Sequence, residues 1–223
     1  MSHIALSFSR LSTYEKCPRK FYAQYIDKSY PDESDKFCFV KGKKKHEQLE
    51  NYIKCKALNT MLPLRYDGDV MSATPIIDSL LASGHEIIAE QQLAVDKNWE
   101  KIGWFDKKVY WRAIADFIAI KDDTAVIGDW KTGKFRDYDD SVTGQLHLAA
   151  AVVFAHYPQI QRIITSYLFI EHRQSVKRQF TRDMDLRTPF NESFVTVNED
   201  QSFDASRNQY CNWCLIKEKC DVV

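Results

Sequence analysis

Two groups of residues have the types and spacing to do chemistry. The first lies in "IADFIAIKDDTAVIGDWKTGK" (residues 114–134), where the polar tetrad Lys121 to Thr124 separates two apolar runs and predicts a β-hairpin. A loop of two or four residues centred there pairs Ile120 with Ala125, Ile118 with Ile127 and Asp116 with Asp129; a loop of three or five would shift the register and undo that pairing. Side-chain alternation then puts Lys131 on the face of Asp129, about 6.6 Å along the strand, with Phe117, Val126 and Trp130 on the other face. Two opposed carboxylates repel and raise each other's pKa unless a cation sits between them. A hard divalent ion such as Mg²⁺ takes oxygen ligands from one or two carboxylates plus substrate phosphate. A lysine two residues on could orient a water or neutralise phosphate charge. That chemistry is metal-assisted phosphodiester hydrolysis, although Asp-x-Lys on a strand also makes ordinary surface ion pairs.

The second group is the cysteines. Cys211, Cys214 and Cys220 form a C-x2-C-x5-C pattern in "CNWCLIKEKC", and the remaining three are Cys17, Cys38 and Cys55. A tetrahedral metal site or an iron–sulfur cluster needs four ligands. Any of the three upstream cysteines could be the fourth, and those left over would be buried apolar fillers. Zinc and an iron–sulfur cluster both suit four thiolates. Such a site would tie distant parts of the chain together, so that ligand-binding free energy becomes folding free energy.

The elements that must position these residues are those of one α/β domain. At 223 residues, with 44% apolar and 28% charged residues, the chain can bury a sizeable core. The start "MSHIALSFSR" shows no signal pattern and no apolar run is long enough to span a membrane, which predicts a cytoplasmic protein. Disulfides are not expected there. Formal net charge is zero, so nucleic acid would have to be held by a local patch. Candidates are "KGKKK" (41–45) and Arg10, Arg19 and Lys20 among Tyr14, Phe21, Tyr22 and Tyr25, although a charge run is as readily a solvated helix face. No G-x4-GK[ST] motif occurs, so there is no ATP motor of that type.

Periodicity predicts a helix in two pieces over 9–28, with a Ser12–Glu15 capping box and a turn at Pro18. A helix over 40–58 places His46, Leu49 and Ile53 on one face, and "TPIIDSLLASG" reads as a third, with Pro75 early and Gly84 as its stop. Strands follow at 85–95, 108–120 and 124–130, then a helix at 141–157 and strands in "QRIITSYLFIEH" and "SVKRQFTR". After about residue 184 no pattern is read until the cysteines. The expectation is a mixed sheet flanked by helices: a helical part at 1–84, a core at 85–183 and a tail at 184–223.

With these residues in place, "ADFIAIKDDTAVIGDWKTGK" resembles motifs II and III of the PD-(D/E)XK nuclease superfamily in its RecB-like branch. The nearer likeness is to CRISPR-associated RecB-like adaptation nucleases and the nuclease domain of AddB. "CPRKFY" and the C-terminal C-x2-C-x5-C resemble the cysteine set that holds a [4Fe–4S] cluster there, and the likeness runs from residue 7 to residue 220. The resemblance implies a restriction-endonuclease-like fold and a Mg²⁺- or Mn²⁺-dependent deoxyribonuclease, an exonuclease preferring single-stranded DNA ends. It implies Asp116, Asp129 and the Trp130 carbonyl as metal ligands, Lys131 as the residue positioning the attacking water, and Cys17, Cys211, Cys214 and Cys220 as cluster ligands. "GKKKHEQLE" matches a G-x3-H-x3-E pattern and implies His46 as a metal ligand or active-site group; by itself it could be a core histidine. Gln145 matches the glutamine of Q-x3-Y, but Ala149 replaces the tyrosine, which puts in doubt how a DNA end is positioned. Glu90 is a further candidate acid, or a solvated glutamate at a strand entry. Separate helicase or CRISPR adaptation proteins are the implied partners. The alternatives are a DNA-end-binding adaptor, or a redox-sensing iron–sulfur protein, with this fold but little turnover.

Overall fold

The computed structural model describes residues 3–30, 37–62, 65–135, 144–220 and 222, and of residues 37–39 the backbone only. The first strand, β1 (Leu6–Ser7), leads into helix α1 (Phe8–Lys16), a short α2 (Pro18–Phe21) and a π-helical turn (Tyr22–Ile26). Ser7 rather than Ser12 caps α1: its side chain accepts from the Arg10 N–H. Pro18 opens the second piece at a position where its missing N–H costs nothing. Then come α3 (Phe37–Ala57), α4 (Gly68–Ala82), strands β2 (Glu86–Val95), β3 (Lys101–Ile102), β4 (Trp111–Lys121) and β5 (Thr124–Lys131), helix α5 (Gln145–His156), strands β6 (Arg162–Phe169) and β7 (Gln174–Thr181), and α6 (Thr188–Glu199). Pro75 lies inside α4, which begins well before it; Gly84, at φ +85°, makes the turn that follows.

The seven strands form one mixed sheet in the order β3-β2-β4-β5-β6-β7, with β1 paired to β4. The β5–β6 pair is parallel, which demands a crossover, and α5 supplies it. One face of the sheet packs on α1, α5 and α6, through residues such as Leu11, Val152 and Phe190. The other packs on α3 and α4, through Leu49, Ile53, Val70 and Ile77. This mixed sheet between helical layers is the restriction-endonuclease-like fold expected. Helix α6, unread in the sequence, presents Phe190, Phe194 and Val197 to the first core at helical spacing.

The sheet forks, and the fork decides the site. The hairpin register is the expected one from Lys121↔Thr124 through Ile118↔Ile127, but the ladder ends at Phe117↔Gly128. Strand β4 keeps β2 on one edge along its whole length. On the other edge β1 takes its place beside Trp111 and Arg112, while the end of β5 stays with β6 as far as Lys131. Residues 113–116 of β4 are therefore left between the two. Alternation breaks at the same point. Ala113 and Ala115 pack into the core with α5, as do Ile118 and Ile120, of opposite parity; Phe117 turns to the α3 side. On β2 the matching break is Glu90, at φ +48°, flanked by the pairs Ala89↔Phe117 and Gln91↔Ala115. Gly128 is needed here: a Cβ on it would lie 2.0 Å from the Phe117 ring.

Helix α3 is fixed against the fork by Lys45, 1% exposed. Its ammonium donates to Asp69 of α4 (2.7 Å) and to Glu171 beyond β6. The "KGKKK" run is thus not one solvated cationic face. Lys41, Lys43 and Lys44 are exposed and Lys45 is spent internally.

Candidate active site

Asp116 sits where the ladder ends, and its carboxylate replaces the missing strand partner: Oδ2 accepts from the Trp130 N–H at 2.6 Å. The expected Asp116–Asp129 cross-strand pair does not form, because β4 and β5 have already separated. Trp130 enters through its main chain; its indole is buried against Phe117, ring centroids 5.0 Å apart. From α3, His46 Nδ1 reaches Asp116 Oδ1 at 3.2 Å. His46 can approach because Gly42, one turn earlier, lies against β5, where an added Cβ would meet Thr132 Oγ1 at 3.0 Å. Burial opposes charge on the imidazole, but the hydrogen bond and charge of Asp116, with Asp129 and Glu90, hold its pKa above the ordinary value.

Glu90 is inside β2, not at its entry, and its left-handed backbone turns the side chain to the same point. Ligand atoms of His46, Glu90 and Asp116 lie within 4.8 Å of one another. Burial, then the Asp116 and Glu50 charges, push the Glu90 carboxyl up. Only the positive φ marks this residue, and no sequence signal carries it at a non-glycine position.

Asp129 and Lys131 share a face, as alternation requires, and Lys131 Nζ lies 2.7 Å from Asp129 Oδ2. Gln145, the first residue of α5, spans the pair: it accepts from Lys131 Nζ at 3.0 Å and donates to Asp129 Oδ1. It does more than satisfy a helix end. Lys131 Nζ also stands 4.7 Å from the Tyr167 ring centroid, a contact that the sequence does not announce because it crosses a parallel strand pair. Burial pushes the Asp129 carboxyl up to about 6, against the pull of Lys131 and with the Asp116 charge adding to the rise. Two carboxylates and an imidazole, with the Asp129 carboxylate on the same cavity, fit a hard divalent cation. All these side chains face one cavity of about 770 Å³.

The four predicted cysteines also come together. Cys17, Cys211, Cys214 and Cys220 line a single cavity of about 330 Å³ at the far end of α1. Asn208 ties the tail to α1, its Nδ2 donating to the Lys16 carbonyl at 2.8 Å, and within the tail its N–H lies 3.2 Å from Cys211 Sγ. Cys55 is elsewhere, half-buried on α3 near Asn51, and the Cys38 side chain lies outside the described residues. The aromatics expected to stack on bases are largely structural: Phe21 is buried, and Tyr14 packs on it and donates to Asp200.

Fold and site meet a sequence-level finding. The sequence profile of the PD-(D/E)XK nuclease superfamily matches residues 5–221, and the chain belongs to that superfamily. No curated protein matches the sequence. Among solved structures the chain is similar to SSO0001, at 14% identity and TM-score 0.43, with 99% of this chain and 89% of that one covered. It is also similar to the alkaline exonuclease LHK-Exo from Laribacter hongkongensis, at 9% identity and TM-score 0.37, with 86% and 85% covered. The complex of that enzyme with dAMP gives 10% and 0.36 over the same shares. Among the described residues no helix is long and apolar enough to cross a membrane.

Proposed function

We propose that this chain is a divalent-metal-dependent deoxyribonuclease of the RecB-like branch, an exonuclease acting on single-stranded ends. The observation that carries the reading is the fork. Asp116, Glu90 and His46 gather on one side of it and Asp129, Lys131 and Gln145 on the other, around one cavity. His46, Glu90, Asp116, Asp129 and the Trp130 carbonyl would hold Mg²⁺ or Mn²⁺. That ion, when bound, supplies Lewis-acid stabilisation of charge on the phosphoryl oxygens. Lys131, oriented by Asp129, Gln145 and the Tyr167 ring, positions the attacking water, and its ammonium offsets the negative charge that develops as the proton of that water passes to solvent. Gln145 keeps the Lys131 ammonium and the Asp129 carboxylate at fixed separation, so that neither must reorganise as charge develops. The branch and the preference for single strands rest on the sequence resemblance, as do a separate helicase or CRISPR adaptation proteins as partners.

The second part of the reading is that Cys17, Cys211, Cys214 and Cys220 hold a [4Fe–4S] cluster. Four thiols on one cavity ringed by Lys16, Arg19, Lys20 and Lys217 match an anionic thiolate cluster. Four thiolates suit zinc as well, and the preference for the iron–sulfur cluster rests on the sequence resemblance.

The test is digestion of end-labelled single- and double-stranded DNA with Mg²⁺ or Mn²⁺, using anaerobically purified protein. Cleavage should require the metal and fall by about 10²- to 10⁴-fold in Lys131→Ala, with an equal or larger loss in Asp129→Ala, both variants remaining folded. Folded, cluster-loaded protein that binds DNA without cutting it would replace the nuclease by an end-binding adaptor.

A further inference from the structure

A second cavity, of about 590 Å³, opens from the metal site along the unpaired stretch of β4 and ends against α1. Ile114, Asp129 and Gln145 line both cavities, so the two adjoin. Its wall holds two arginines. Arg112 leaves β4 two residues beyond Ile114, roughly 13 Å along the strand from Asp116. Its guanidinium lies 5.3 Å from the Trp104 ring centroid, and its Nε is buried with no hydrogen-bond partner. Arg10 of α1 donates to the Ala5 carbonyl at 2.6 Å and rests 5.1 Å from the Tyr25 ring. Neither guanidinium has a carboxylate partner among the described residues. Burial, and after it the neighbouring Arg112 charge, lowers the Arg10 pKa.

Holding two like charges on the wall of one cavity costs free energy unless an anion joins them. The surroundings suit one. The N-terminus of α1, capped by Ser7, opens on the same cavity with the hydroxyls of Ser9 and Ser12. Asp129, at the catalytic end, is the one acidic residue among the described lining.

We infer that Arg10 and Arg112 form a phosphate-binding subsite for the substrate strand, a few nucleotides from the bond that is cut. The inference rests on the nuclease reading for its direction, since the cavity leads into the metal site. Phosphate is recognised by the paired guanidinium groups and the helix N-terminus. The Trp104 ring, with Phe105 exposed beside it, gives an aromatic surface for an unpaired base. The occupant is one phosphate group, and it comes either from an internal phosphodiester or from a 5′-terminal phosphate.

The experiment is equilibrium binding, in EDTA, of 3′-fluorescent single-stranded oligodeoxynucleotides bearing 5′-phosphate or 5′-hydroxyl ends, across a salt series. The variants are Arg112→Gln, Arg112→Lys and, as a control on outer strand β7, Lys177→Gln. Arg112→Gln should weaken binding about tenfold and make the slope of log K against log[salt] shallower by about 0.7. Arg112→Lys should keep most of the slope and Lys177→Gln all of it. An effect confined to the 5′-phosphate oligonucleotide assigns the subsite to the terminal phosphate; an equal effect on both assigns it to an internal one. Unchanged slope and affinity in a folded Arg112→Gln overturn the subsite even if the wild type cuts DNA normally. A loss of thermal stability in that variant without a change in slope makes Arg112 structural, and also overturns it. Binding that shows the expected Arg112 dependence in a protein that never cuts keeps the subsite and sinks the nuclease reading.

Discussion

At the carboxylate site each side chain leans on another. Asp116 is held by a backbone N–H and by His46, and Lys131 by Asp129, Gln145 and Tyr167. At the cysteine site four half-buried sulfurs share a cavity, and residues 208–215 reach the N-terminal part of the chain through Asn208 to Lys16, the Lys16 ammonium over the Tyr210 ring and the Leu215 N–H to the Tyr30 hydroxyl at 3.5 Å. The first is assembled by the sheet and its two helical layers and would stand without its ion. The second joins residue 17 to residues 211–220, and on the proposed reading its occupant supplies the fastening. The ion proposed at the first is then there for chemistry, the group proposed at the second for architecture.

This comparison breaks most visibly at the cysteines. Cys214→Ser should lose the cluster's visible absorption and release the tail, lowering stability by several kcal/mol, as read by chemical denaturation and by proteolysis near residues 205–220. EDTA, in contrast, should abolish cleavage while moving the melting temperature little. A tail that stays protected in Cys214→Ser would show that protein contacts alone hold it.

The sheet fork offers a smaller effect. Gly128→Ala places a methyl on the Phe117 ring and should cost about 1–3 kcal/mol with reduced cleavage, since Asp129 is the next residue. Phe117→Leu in the same chain should restore part of both, measured as urea midpoints and initial rates. Full activity in Gly128→Ala would mean that the fork tolerates a shift of the ring.

An effect of similar size is electrostatic and tests whether the carboxylate site is preformed at a cost. The Asp129 pKa is raised from 3.8 to about 6. Between those two pH values the folded, metal-free chain retains a proton that the unfolded chain has lost, so stability should fall as pH rises through that window and level off above it. Asp129→Asn should remove this slope and stabilise the metal-free protein at pH 7 by on the order of 1–3 kcal/mol. Denaturation in EDTA at pH 5 and pH 7 decides it; an Asn variant that is less stable at pH 7 would show the Lys131 pair to be net stabilising.

Local pattern made much of this legible. The hairpin register followed from the polar tetrad, and Gly42, His46 and Glu50 all line the metal cavity. Helix α6 also carries a local signal: Phe190, Phe194 and Val197 repeat at helical spacing, behind a Pro189 that suits a helix start. Ser12 offered a capping-box spacing, but the chain turns into the helix earlier, where β1 ends and Ser7 is free to cap. Glu90 looked like a strand-entry residue because its position depends on a backbone kink shared with Asp116 across the sheet.

The residues themselves supplied the candidate groups, carboxylates, lysine and cysteines alike, and the periodicities that make strands and helices of the segments carrying them. Covalent spacing sets such things, because alternation along a strand and rise along a helix are local. Tertiary structure decided the geometry of reaction. Strand β1, about 100 residues upstream of β4, takes the edge that β5 leaves. Beyond that pairing the fork leaves Asp116 without its expected partner, and His46 from α3 and Glu90 from β2 reach the carboxylate there. It also leaves Arg112 facing Arg10 across a cavity that no reading along the chain could have placed.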